Sequence, residues 1–377
     1  MGVKRMLVLL LIVLKETRPT AAQGCSCAST SCNCNFVGLT RVPQDLPTTI
    51  NYLYLNGNSI TALSPSDFSR YRNLERLFLA SCEISMINTG TFYNLTSLRN
   101  LYLDSNQLTN LEANVFEGLG FLETVALGSN QLSSLPADIF EGLGALLSIF
   151  LQNNQLSSLP AGIFEGLEKL NRLHLQENQL TSLPADISGL GNLQELYLQL
   201  NQLTSLPTFE GFGNLGKLRI DQNQLSTLPA DIFPVLASVS DGGVYSVLDI
   251  SNNPWQCDCN MLPFKRLMNG SYDFESEIIC AGPDRPANLT GKSLLNDVNP
   301  EDMCEETTTV PSTATSKPAA SCTLSSFWTT CVNKRFWRRA SCRGRFCSKC
   351  RRKFRKVCPD KSTRWGSCRR EFTKNCT

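Results

Sequence analysis

"LQENQLTSLPADI", residues 175–187, is nearly repeated by "LDSNQLTNLEANV" from Leu103, "LGSNQLSSLPADI" from Leu127 and "LQNNQLSSLPAGI" from Leu151. The asparagines in these phrases, Asn106, Asn130, Asn154 and Asn178, lie 24 residues apart. Counting back by 24 reaches Cys82 and then Asn58. Forward, Asn201 and Asn223 follow at 23 and 22, and Asn253 closes the series at 30. Ahead of each asparagine, apolar and variable residues alternate, as in "LHLQEN" (173–178). A period of two predicts a short strand with one face inward.

Around each asparagine runs L-x-x-L-x-L-x-x-N-x-L, with Ile at some Leu positions, Val125 at another and Pro254-Trp255 after the last. At this period the pattern is that of a leucine-rich repeat. One turn cannot bury its leucines alone, so neighbours share a long core and each adds a parallel strand about 4.8 Å from the last. The expected fold is an α/β solenoid with a parallel concave sheet over residues 51–253 and an irregular convex side. The asparagine points inward at the bend, where its amide must bond backbone groups. Cys82 takes that place in one turn and reads as a free structural thiol. Phe68, Phe92, Phe116, Phe140, Phe164 and Phe233 each fall ten residues after an asparagine position and form a convex packing spine. The long last interval holds "SVSDGGVYS" (238–246), read as a loop insertion.

The ends differ from the middle. "MGVKRMLVLLLIVL" is basic and then apolar, too short to span a bilayer, and "RPTAA" follows; residues 1–22 read as a secretory signal peptide. Residues 23–321 carry 14 Lys and Arg against 30 Asp and Glu, whereas 322–377 carry 17 against 2, so the overall +2 conceals −16 and +15. The 17 cysteines cluster likewise: four in 25–34, Cys82, four in 257–304 and eight in 322–376. In a secreted chain such clusters predict disulfides. Residues 23–50 form an N-cap and 254–304 a C-cap, because a solenoid needs its open ends covered. Cys25 with Cys34 and Cys27 with Cys32 are nested pairs, which a hairpin sets directly across from each other.

These repeats and caps resemble the extracellular leucine-rich repeat proteins with cysteine-rich flanks, among them the variable lymphocyte receptors of jawless vertebrates and their invertebrate relatives. "LPTTINYLYLNGNSI", "SLPADIFEGL" and "NPWQCDC" carry the likeness. The resemblance implies C-cap bridges Cys257–Cys280 and Cys259–Cys304. It also implies recognition of antigens on the concave face. Here the segment between Cys259 and Cys280 is short and leaves little room for a protruding insert.

The letters that vary between repeats sit between the inward leucines and point to the concave face. The central column reads Tyr54, Phe78, Tyr102, Ala126, Phe150, His174, Tyr197, Arg219, Asp249. An aromatic stripe outside the core marks an interaction surface, and rigid rings bordered by amides and charges suit one. The candidate ligand-binding residues are Tyr54, Phe78, Tyr102, Asp104, Phe150, Gln152, Arg172, His174, Gln176, Glu195, Tyr197 and Gln199. The competing reading is that the rings merely stack on one another. His174 is the single histidine. No Ser, Cys or second His pattern surrounds it, so neither catalysis nor a metal site is expected, and no cofactor.

Residues 305–321, "EETTTVPSTATSKPAAS", form a Thr/Ser/Pro-rich stalk of the kind that carries O-glycans. The eight cysteines of 322–377 staple a small basic module whose interleaved aromatics suit anionic polysaccharide or lipid. The alternative is disulfide-linked pairing of chains. Nucleic acid is not an expected partner. Asn94, Asn269, Asn288 and Asn375 are N-glycosylation sequons. The reading is a secreted, extracellular immune-type receptor for microbial surface protein or glycan. The alternative is a matrix or signalling protein that binds a host protein and is held on glycosaminoglycan by its tail.

Overall fold

The computed structural model describes residues 24–242, 246–282 and 288–304. The expected signal peptide, stalk, basic module and Asn375 lie outside the described residues. An 11-stranded sheet runs the length of the repeats. Its strands are β1 (Ser26–Ala28), β2 (Ser31–Asn33), β3 (Tyr52–Tyr54), β4 (Arg76–Phe78), β5 (Asn100–Tyr102), β6 (Thr124–Ala126), β7 (Ser148–Phe150), β8 (Arg172–His174), β9 (Glu195–Tyr197), β10 (Lys217–Arg219) and β11 (Val247–Asp249). Only the β1–β2 hairpin is antiparallel. All later neighbours are parallel and without slip, so Tyr54, Phe78, Tyr102, Ala126, Phe150, His174, Tyr197, Arg219 and Asp249 face one another in order. The alternation predicted from the repeats is therefore one continuous register.

Two devices close each turn. The first is the asparagine. Asn154 donates through Nδ2 to the carbonyls of Leu127 (3.0 Å) and Leu151 (3.1 Å), and its Oδ1 accepts the Leu132 N–H (3.0 Å). Asn106, Asn130, Asn178, Asn201 and Asn223 repeat this pattern. These amides join each turn to the one before it, in a core where an unpaired backbone group would be expensive. Cys82 is free and buried, and its thiol donates to Leu55 O (3.3 Å).

The second device is left-handed backbone. Gly57, Ser81, Ser105, Ser129, Asn153, Glu177, Leu200, Gln222 and Asn252, each just before the asparagine position, have φ between 52° and 68°. In each turn from Gly57 to Gln222 that residue's N–H bonds a carbonyl of the next turn, as Ser129 does to Gln152 O (2.8 Å). The twist that presents this N–H also drives the following asparagine inward.

The core is one leucine-lined channel with Phe68, Phe92, Phe116, Phe140 and Phe164 at most 3% exposed. Phe233 departs from the expected spine. It is only partly buried and packs on Phe264, Tyr272 and Phe274 of the C-cap. The loop expected at 238–246 is corrected over its first four residues. Phe233–Asp241 is a helix, because Val235, Leu236 and Val239 bury one side of it against the channel's end. The caps hold disulfides Cys25–Cys34, Cys27–Cys32, Cys257–Cys280 and Cys259–Cys304. Trp255, 1% exposed, lies against the channel where the C-cap begins.

Candidate functional site

Strand alternation places two kinds of side chain side by side. Leu53, Leu77, Leu101, Val125, Ile149, Leu173, Leu196 and Leu218 point inward with no exposure. Their neighbours point to the concave surface and stay outside the core, with Tyr54, Phe78, Tyr102, Phe150, His174 and Tyr197 all half-buried. The rings fall into two groups. Tyr54, Phe78 and Tyr102 stack nearly parallel, with centroids 4.5 and 4.7 Å apart. Phe150, His174 and Tyr197 meet edge to face at 4.8 and 4.5 Å. Ala126, 3% exposed, separates them. The rings do stack on one another, and they also remain on the surface, so the two readings of this column are not exclusive. Such pairs contribute about 0.5–1.5 kcal/mol beyond burial and hold the rings in fixed orientations.

The flanking columns set the electrostatics. Glu195 is a hub, with Lys217 Nζ at 3.0 Å, Arg172 Nε at 3.6 Å and His174 Nε2 at 3.5 Å. Burial pushes its carboxyl up, but the Lys217 hydrogen bond and charge, His174 and Arg172 together outweigh it, and the pKa ends lowered. Burial lowers the pKa of His174 and Glu195 only partly offsets this, so the site favours the neutral imidazole. Its 3.5 Å contact to Glu195 is too long for a good hydrogen bond. Asp104, half-buried, has its pKa raised by burial, although the Gly128 N–H reaches its Oδ1 (3.3 Å). Gln152, Gln176 and Gln199 follow two residues after Phe150, His174 and Tyr197 and form a row of amides.

The structure thus places Phe150, Gln152, Arg172, His174, Gln176, Glu195, Tyr197 and Gln199 on one patch across β7, β8 and β9. Tyr54, Phe78, Tyr102 and Asp104 form a second patch further along. The sequence reading left out Lys217, whose pairing with Glu195 closes the hub. It also left out Arg219, which binds Asp221 (2.9 Å) and Asp249 (3.2 Å). Opposite charges at equal register, 22 residues apart for Glu195 and Lys217, were the available signal. Arg76 lies 5.5 Å over the Tyr52 ring at the other end. A depression of about 520 Å³ occurs on the opposite half-turn, lined by Asn114, Glu117, Asp138 and Glu141 among others. It is acidic and holds no aromatic ring, so the concave patches are the better candidate. Among the described residues no group of three or more His, Cys, Asp or Glu could hold a metal.

The leucine-rich repeat family model matches in overlapping windows from 48–108 to 168–225. Residues 48–225 are leucine-rich repeats. Chicken decorin (Gallus gallus) is 36% identical over 67 residues, which are 18% of this chain and 19% of decorin. The chain thus spans about a fifth of the length of that curated relative. Among solved structures, a leucine-rich repeat protein of Leptospira interrogans superposes with TM-score 0.51 at 25% identity, covering 62% of this chain and 63% of that one. Human 5T4, the trophoblast glycoprotein, gives TM-score 0.47 at 24% identity, over 74% of this chain and 97% of its own. The leucine-rich repeats rest on the family match, and the solenoid fold and disulfide-bonded caps on the structure itself. No helix among the described residues is long and apolar enough to cross a membrane.

Proposed function

We propose that this is a secreted recognition protein whose concave face binds a ligand without chemical turnover. The immune-type reading, with microbial surface protein or glycan as ligand, is the one we carry forward. The carrying observation is the row of half-buried rings held outside the core in one unbroken register. Fixed aromatic side chains give contact area at low entropic cost, and amides and charges border them. Four disulfides in the caps fit an oxidising compartment. The alternative partner is a host matrix or signalling protein.

Binding of the full chain to bacterial surfaces and to host matrix extracts, compared in parallel, separates the two. Tyr102→Ala, Phe150→Ala and Tyr197→Ala should each weaken binding by about 2 kcal/mol if they are hot spots. Each also removes one ring pair, so stability should fall by about 0.5–1.5 kcal/mol per variant, and binding is compared where every variant is folded. Undiminished binding by the triple variant would reject the concave face as the site.

A further inference from the structure

Among the described residues, six buried side-chain polar atoms lack a hydrogen-bond partner, and four of them share this face: Gln152 Oε1, Gln176 Oε1, Gln199 Oε1 and His174 Nε2. Buried polar groups are normally paired, so a cluster of exceptions calls for an explanation. Gln199 is only 8% exposed. On the side of Gln152 the neighbouring positions are uncharged, Thr124, Ala126 and Gly128 on one turn and Ser148 and Phe150 on the next, while on the side of Gln199 Arg219 pairs with Asp221 and Asp249. Arg172 and Lys217 are already committed to Glu195. The Gln152 side chain leans over Gly128, where even a Cβ would collide with its Nε2.

We infer that the face over β7, β8 and β9 takes a neutral polyhydroxylated ligand, one or a few sugar rings, on the amide row of Gln152, Gln176 and Gln199. Rotation about the last side-chain bond turns each amide outward at little cost, because that torsion is broad. Each amide then offers both an acceptor and donors, and a sugar hydroxyl also does both. Phe150 and Tyr197 lie beside the row and would receive the apolar C–H face of a ring. An extended peptide fits less well. Its N–H groups on one edge recur every second residue, roughly 6.8 Å, whereas the amides follow the strand spacing of about 4.8 Å. The charges beside the row balance, with Arg172, Lys217 and Arg219 against Glu195, Asp221 and Asp249, so an anionic polymer gains no net attraction there.

This rests on the concave-face reading and adds the ligand class to it. The test applies the full-length protein to an array of neutral oligosaccharides at low and high salt. The expected result is retention of a subset that changes little with salt. Gln176→Ala should weaken it about tenfold, as for a lost pair of hydrogen bonds, and Gln155→Ala, an exposed glutamine outside the row, should leave it unchanged. Retention of no neutral sugar, or equal retention by Gln176→Ala, overturns the inference. A lower Tm for Gln176→Ala with binding intact also overturns it, and assigns the amides to a ladder bonded along itself. If a macromolecular ligand is lost in the aromatic triple variant while the sugar array stays empty, the concave face stands and the sugar falls.

Discussion

Asn154→Ala tests the energetic centre of the fold. Asn154 is 8% exposed and makes three strong bonds: to Leu127 O (3.0 Å), to Leu151 O (3.1 Å) and from Leu132 N (3.0 Å). A net worth of about 0.5–1.5 kcal/mol applies to each, and groups left unpaired in the core add a desolvation penalty of about 1–3 kcal/mol where no water reaches them. The expected loss is therefore about 3–5 kcal/mol. Urea unfolding followed by circular dichroism should show it as a lower midpoint. The transition should also broaden, because a solenoid is coupled only through neighbouring turns. Gln155→Ala, one residue on and exposed, is the control and should stay within about 0.5 kcal/mol. A loss at Asn154 below about 1 kcal/mol would refute the view that the amides tie the turns together. The reverse experiment exists in the same chain. Cys82 occupies the equivalent place but offers only a thiol donor to Leu55 O, so Cys82→Asn should stabilise by about 1–2 kcal/mol.

Two further variants probe features the repeats do not advertise. Leu200 is 43% exposed and held at φ 58°, a conformation that costs a side chain about 1–2 kcal/mol; Leu200→Gly should raise stability by about 0.5–1 kcal/mol after the greater chain entropy of glycine is subtracted, and no gain in thermal unfolding would mean the turn is unstrained. Asp104 has a raised pKa from burial, so the folded state holds its proton more tightly than the unfolded chain and its ionised form destabilises the fold above that pKa. Asp104→Asn should therefore stabilise at pH 7 and lose the advantage as pH falls below the ordinary aspartate range; an advantage that is equal at every pH would remove the electrostatic cause.

The periodic part of the molecule was legible because packing repeats itself. The inward residues at the strand centres from Leu53 to Leu218, such as Leu101 or Leu173, are fully buried, and a spacing of 24 can only recur if each turn meets the same neighbours. The concave columns followed from alternation alone. What was not legible lies in the third dimension between turns. The break at Ala126 divides the rings into two patches, and the two groups differ in how they meet, stacked around Phe78 and edge-on around His174. Those orientations depend on rotamers that sequence does not state. The helix Phe233–Asp241 was missed for another reason. It carries Ser238 and Ser240 and runs into Gly242 and Gly243, which signals a turn, but Val235, Leu236 and Val239 find the open end of the core and tertiary burial overrides the local signal. The left-handed residues were hidden as well, since Ser, Glu, Gln and Leu give no sign of positive φ.

The same arrangement explains how a rigid scaffold and a changeable surface coexist. In β8 the central Leu173 has no exposure, while Arg172 and His174 on either side reach the surface. A substitution at 173 removes core contacts from its own turn and both neighbours, so its effect is large. A substitution at 172 or 174 alters one contact residue while the backbone register, fixed by Asn178 behind it and by β7 and β9 beside it, stays in place. Neighbouring surface positions nevertheless couple through the Glu195 hub. Replacing Glu195 would leave Arg172 and Lys217 facing each other and His174 without its one nearby anion. Changes at positions on this face that do not touch should accordingly be additive in binding, whereas the contacting rings and the Glu195 hub, where Arg172, His174 and Lys217 must change with it, should couple. Double-mutant cycles of Glu195 with Lys217 should show a coupling that pairs such as Phe78 with Lys217, on strands far apart in the sheet order, do not.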